Sequence, residues 1–314
     1  MIELKLREPK LKEYVQIKIL RHNERPLPYL TDPLTHIWDR TRNIVPGATY
    51  VADIKGELVG VAGYAIAETD HELGLMGIII KPEYQRRGGG GYIYKRLCEK
   101  LYTLKARRIL TMIYDNQLAG LRFAVQRGFQ EIGRSIIGQL DMATINMEVW
   151  PDPEKMIADQ NLRFTTLNRF PRRGLAERLL PIWNRTRPDQ PQYWPYVPFN
   201  VSRLEREVLD SEAIVWEHSI VIITPENRIV GLTLNLQETE NRLFTFYTGI
   251  DPDFRGRKLG FALKLKLIMQ AQAHDIDFLA AENEVSNRMM WRINKQLGFC
   301  RLRELIVYQK TLET

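Results

Sequence analysis

Apolar residues recur along the chain in two periods, and each period predicts a kind of element. Ile93, Leu97 and Leu101 stand four apart, as do Leu263, Leu267 and Ala271; each stripe predicts a helix with one buried side. Short strands are predicted at 2–7 and 162–167. Two longer stretches, TYVADIKGELVGVAGYAIAE and SIVIITPENRIVGLTLNLQE, each read as a pair of strands. The first pair turns near Lys55-Gly56 and the second near Pro225 to Asn227. Further strands are predicted at 73–80 and 243–250, each ending at a proline, and at 108–114 and 276–281 after the helices. A short helix and a closing strand after Gly-Phe complete each series. Antiparallel strands come first and a strand–helix–strand unit sits in the middle, which is a mixed α/β (α+β mixed sheet) pattern.

The pattern occurs twice. At a shift of 170 positions Pro82 meets Pro252, Tyr84 meets Phe254, Arg87 meets Arg257, Gly90 meets Gly260 and Gly128-Phe129 meets Gly298-Phe299. Upstream, IWDRTR (37–42) echoes IWNRTR (182–187) at a shift of 145, so the second copy carries about twenty-five extra residues before its central strands. So long a period implies duplicated domains. The proline-bearing, polar stretch VWPDPEKMIADQ marks the division, giving domains at 1–150 and 161–314 with a linker at 151–160.

Composition changes this picture little. A chain of 314 residues, 44% hydrophobic and 26% charged, can bury a core in each half. Its apolar runs are strand-length, and the first residues lack a signal-peptide core, so a cytoplasmic protein without membrane contact is expected. The net charge of +7 is spread, with 22 basic and 17 acidic residues up to position 150 and 23 and 21 beyond it. Such a spread favours small anionic ligands over nucleic acid. Cys98 and Cys300 read as buried thiols, and the histidines, with His71 and His218 isolated, show no metal spacing.

The candidate chemistry lies where the central strands meet their helices, at KPEYQRRGGGGYIYKRL (81–97) and DPDFRGRKLGFALKLKL (251–267). A tight turn running straight into a helix aims backbone N–H groups and the positive end of the helix dipole outward, and arginines add charge. That combination suits a pyrophosphate. No Gly-Lys-Ser/Thr follows, so the loops are not Walker motifs.

Both halves resemble the GNAT N-acetyltransferase superfamily, whose signature Q/R-x-x-G-x-G/A is met by Gln85 to Gly90. Arg255 to Gly260 meets it except at Lys258, which stands where the signature has glycine. The stretch NEVSNRMMWRINKQLGF strengthens the match in the second half. The resemblance implies two tandem GNAT domains, like two-domain members of the mycothiol synthase kind. It implies an acetyl-CoA site at the splayed edge between the strand before each loop and the strand after each helix. Loop groups of Gln85, Arg86, Arg87, Gly88, Gly89 and Gly90, and of Arg255, Gly256, Arg257, Lys258, Leu259 and Gly260, would hold the pyrophosphate. Ile80 and Ile250 would hold the pantetheine, with Asn116, Asn283 and Asn287 lining the thiol end. Lys258 is expected to take a backbone conformation unlike that of glycine.

The family's usual proton-donating tyrosine is replaced by Ala124 and Asn294, the latter kept as a candidate at the catalytic position. A glutamate base is expected near the acyl group, with Glu72, Glu238 and Glu240 as candidates. The extra stretch RPDQPQYWPYVPFN places Tyr193, Trp194, Tyr196 and Phe199 among prolines, either around an amine-bearing acceptor or between the two copies. The expected function is acetyl-CoA-dependent N-acetylation of a small-molecule amine by a monomer or homodimer, with the second copy catalytic. The alternative is an acyl-CoA binding or sensing protein without catalysis, and an aminoacyl-tRNA-dependent transferase, which would not need the pyrophosphate loops, is a third possibility.

Overall fold

The computed structural model describes residues 4–14, 16, 17, 20, 46–191 and 193–312. The echo at 37–42 lies outside them. The chain forms two compact units, residues 1–134 with 305–314, and residues 135–304.

In the first unit, β1 (Lys5–Arg7), β2 (Gly47–Ile54), β3 (Glu57–Ala67) and β4 (Asp70–Ile80) are successive antiparallel neighbours. Lys55 and Gly56 turn β2 into β3 with φ of 51° and 89°, the left-handed pair that a two-residue hairpin needs. Helix α1 (Gly89–Thr103) crosses over to β5 (Arg108–Tyr114), which lies parallel to β4. The predicted stripe faces the sheet: Ile93, Leu97 and Leu101 are buried among Ile80, Ile109 and Ile113. Burial of each such side chain stabilises by about 1.5–3 kcal/mol. Helix α2 (Leu118–Val125) follows, then β6 (Gln130–Asp141).

The second unit repeats the plan. Helix α3 (Pro153–Ala158) precedes β7 (Arg163–Thr166), and α4 (Leu175–Thr186), α5 (Val201–Leu204) and a π turn (Glu205–Leu209) precede β8 (Ile220–Ile223). β9 (Ile229–Thr239) and β10 (Arg242–Ile250) form a hairpin, and α6 (Leu259–Gln272) leads to β11 (Phe278–Glu284), parallel to β10. Helix α7 (Arg288–Gln296) and β12 (Cys300–Thr311) end the chain.

The closing strands are divided between units. Residues 135–141 of β6 pair antiparallel with β11 in the second unit, and Leu305–Thr311 of β12 pair antiparallel with β5 in the first. The repeats read from the sequence and the compact units therefore differ by one strand each.

Three local expectations change. The stretch expected to be a linker holds α3, whose Ile157 is buried against α6, with Asp152 capping its first turn. β11 runs three residues past its predicted end, because β6 pairs with its polar Glu282, Asn283 and Glu284. Cys300 is exposed at the start of β12, and Cys98 is only partly buried.

Candidate functional site

β4 and β5 stay in register only from Leu73 to Leu75, and β10 and β11 only from Arg242 to Thr245. Beyond those residues each pair splays. In the second unit a bulge between Thr245 and Tyr247 marks the divergence, and bulges of this kind re-aim backbone groups. Each splayed strand then enters a short 3₁₀ turn, Pro82–Tyr84 or Pro252–Phe254, and the helix follows.

The two loops are built alike. Gln85 Nε2 donates to the Ile80 carbonyl at 2.8 Å, and Arg255 Nε donates to the Ile250 carbonyl at 3.1 Å. These side chains staple the turn, and Arg255 also pairs with Asp189. Arg86 and Gly88 have φ of 60° and 87°; at the matching positions Gly256 and Lys258 have 77° and 59°. Lys258 thus adopts the left-handed conformation that Gly88 adopts, contrary to expectation, and the glycine has moved to the other left-handed position. The first helical hydrogen bonds run from Tyr92 N–H to the Gly88 carbonyl and from Ala262 N–H to the Lys258 carbonyl. The preceding first-turn amides have no intrahelical acceptor. Arg86, Arg87, Arg257 and Lys258 are exposed around them. Arg87 lies 5.5 Å from the Tyr84 ring and Arg257 lies 4.9 Å from the Phe254 ring. Nothing stands within 4 Å of where a Cβ would project from Gly88 or Gly256. An open cradle of amides flanked by cations fits a pyrophosphate.

The residue after each strand is tied to the preceding hairpin, with the charges reversed. Lys81 pairs with Glu57 at 3.2 Å, whereas Asp251 pairs with Arg228 at 2.7 Å and with Arg185 at 3.3 Å.

Other expected residues have diverse places. Leu259 is buried in the core, so it offers the loop only its backbone. Gly89 faces Leu4. Gly90 abuts Phe123, while Gly260 faces Ile250 and Ile293 with more room. Asn294 is fully buried and donates to Asn283 Oδ1 at 2.6 Å, which joins two expected residues at the α7–β11 contact. Asn287 caps α7 by accepting from Met290 N–H at 3.3 Å, and Asn116 is exposed. Glu238 pairs with Arg242 at 2.5 Å beside the β9–β10 turn, and Glu240 is exposed in that turn. Neither reaches the splay. His218 is not isolated: its ring meets His274 edge-on at 4.9 Å, and burial holds its pKa down. Among the described residues no group of three or more His, Cys, Asp or Glu could hold a metal.

The extra stretch packs on α4 of its own unit. Tyr196 donates to Asn184 Oδ1 at 2.6 Å, the Phe199 amide donates to the same atom at 2.9 Å, and the Phe199 ring packs at a tilt against Trp183. Trp183 in turn lies 4.7 Å from Tyr247 at the bulge. The Tyr247 and Thr186 hydroxyls share a hydrogen bond, and burial pushes the Tyr247 hydroxyl up to about 12. A Cβ on Gly249 would strike both Tyr247 and Thr186, so the pair requires glycine there. Tyr193 and Trp194 are partly buried in the same stretch.

Sequence reasoning missed Glu282. It lies on β11 one residue past the last β10–β11 pair, hydrogen-bonded to Ser135. Part of it reaches solvent, yet desolvation dominates and pushes its carboxyl up to about 7. A charged residue inside the run FLAAENE was the available signal.

A model of the acetyltransferase (GNAT) family matches residues 15–129 and again 172–299. The chain belongs to the GNAT acetyltransferase family. Its GNAT fold is shared with solved structures of low identity. A tandem GNAT protein from the clavulanic acid biosynthesis pathway aligns over 99% of both chains with a TM-score of 0.72 and 14% identity. A GCN5-related N-acetyltransferase from Sphaerobacter thermophilus covers 99% of this chain and 96% of its own, with a TM-score of 0.65 and 13% identity. A glucosamine N-acetyltransferase region of a fungal multi-domain β-N-acetylglucosaminidase covers 99% of this chain, and 38% of that chain is covered, with a TM-score of 0.70 and 12% identity. No curated protein matches the chain. Among the described residues no helix of this GNAT protein is long and apolar enough to cross a membrane.

Proposed function

We propose that the chain transfers an acetyl group from acetyl-CoA to the amine of a small molecule, and that its second unit carries the reaction. The observation that bears most weight is the pair of matched loops, each with two left-handed residues and exposed cations at the head of a helix beside splayed strands. The amides after Arg86 and Gly256 would hold the pyrophosphate, and the splay would take the pantetheine. Acetyl-CoA, when bound, supplies the acetyl group as a thioester.

Two features favour the second unit. The bulge at Thr245–Tyr247 accompanies its splay, whereas β4 keeps unbroken register with β3 from Gly74 to Ile80. The aromatic stretch held on α4 supplies a wall on the same side of the sheet as Tyr247. A small acceptor enclosed by aromatic side chains suits that wall.

Arg87→Glu and Arg257→Glu reverse an exposed charge at the same place in each loop. Calorimetric titration with acetyl-CoA is expected to show binding in the parent, with affinity at least tenfold lower in Arg257→Glu. Release of CoA thiol with spermidine, L-lysine and glucosamine as acceptors then measures transfer. Absence of binding by the parent would refute the proposal. Ala124 and Asn294, both buried, leave the usual acid position without a proton donor, which favours a binding or sensing role instead. Tight acetyl-CoA binding with no thiol release would establish that second reading.

A further inference from the structure

The acetyl-transfer reading leaves the base unassigned, and the carboxylates expected from the sequence lie elsewhere. Glu238 is engaged by Arg242, Glu240 is exposed in the same turn, and Glu284 accepts from Ser286 N–H at 2.6 Å. Strand alternation places the remaining carboxyl of β11. Leu279 and Ala281 pack in the core with α6, so Ala280 and Glu282 face the opposite side of the sheet. Tyr247 and Gly249 occupy that side on β10, beneath Trp183 and Thr186 of α4. Since Phe244 and Thr245 pair with Ala280 and Ala281, the next residue, Glu282, stands across the splay from the bulge. It is therefore level with the divergence of the two strands and on the side where the aromatic stretch packs.

Resting on the acetyl-transfer reading, we propose that Glu282 is the general base of the second unit, taking a proton from the acceptor's ammonium at the β10–β11 splay. The amine lone pair so released attacks the thioester carbonyl carbon. A C–N bond forms, the C–S bond breaks with its electron pair going to sulfur, and the second N–H proton ends on the thiolate. Acetyl amide and CoA thiol result, and the proton on Glu282 returns to solvent.

The surroundings suit the task. Ser135 on β6 hydrogen-bonds the carboxyl. Charged or titratable groups on this side include Glu284 on β11, Tyr247 on β10, and Arg187, Asp189 and Tyr196 after α4, which act on Tyr247. A recessed carboxyl titrating near neutrality is ionised often enough to accept a proton and basic enough to hold it.

The test uses the full chain with acetyl-CoA, with spermidine, L-lysine, glucosamine and water as acceptor probes, reading CoA thiol release across pH 5.5–9. Glu282→Gln is expected to lower kcat at least 100-fold, leave acetyl-CoA affinity within twofold, and abolish the acidic limb of the kcat profile. Glu282→Asp should recover part of kcat and restore that limb. A Glu282→Gln chain with kcat within threefold of the parent would overturn the assignment alone, leaving acetyl transfer intact. Equal loss of kcat and acetyl-CoA affinity, unrelieved in Glu282→Asp, would overturn it in favour of a packing role. Absence of turnover in the parent with every probe would overturn the acetyl-transfer reading and this assignment with it.

Discussion

At the scale of single residues, the two strand-to-helix loops show one backbone path carried by two different residue patterns. Arg86 and Gly88 in one copy, and Gly256 and Lys258 in the other, hold the same two left-handed positions. A side chain in that conformation costs roughly 1–2 kcal/mol, so each loop contains one relaxed and one strained residue. Lys258→Gly is expected to raise stability by about 1 kcal/mol, and Gly88→Ala to lower it by a similar amount, both measured by urea denaturation. The motif itself was legible, because its glycines and arginines are spaced by the turn they make. The conformation of Lys258 was not, because a lone lysine carries no signal of positive φ. Glu282 escaped notice for a related reason: the role proposed for it depends on which way β11 faces and where β10 leaves it.

At the scale of elements, α6 shows what periodicity reveals and what it hides. Leu263, Leu267 and Ala271 were readable as the buried stripe, and they are buried. Lys264 beside them is 2% exposed, with its ammonium 5.5 Å from the Phe299 ring, and burial pulls its pKa down to about 7. A lysine flanked by apolar residues reads as solvent-facing from sequence alone; the Phe299 ring beside its ammonium is distant in the chain. The unfolded chain keeps this proton up to an ordinary lysine value near 10.5, whereas the folded chain releases it near 7. Folding is therefore penalised fully below pH 7, and the penalty disappears as pH rises toward 10. Lys264→Met is expected to stabilise by roughly 1–4 kcal/mol at pH 6, with the gain shrinking between pH 7 and 10. Thermal unfolding of both proteins across that range checks it.

At the scale of the whole molecule, duplication was legible from residues at a constant shift, and both copies of the strand–helix–strand plan are present. The ownership of the closing strands was not, because a strand's sequence does not say which edge it will cover. Residues 135–141 complete the sheet of the second unit, and 305–311 complete that of the first. A fragment of residues 135–304 is expected to fold as a monomer with cooperative unfolding, since it retains β6 against β11. A fragment of residues 161–314 lacks that cover and leaves the β11 edge open, and it is expected to aggregate or associate in gel filtration. The lending of one strand in each direction also bears on the history of the gene. Once the copies had come to complete each other's sheets, deleting either would uncover an edge in the survivor. A copy could then lose its chemistry through drift, as the differing loops and the missing tyrosines permit, and still be kept by selection as a supplier of backbone.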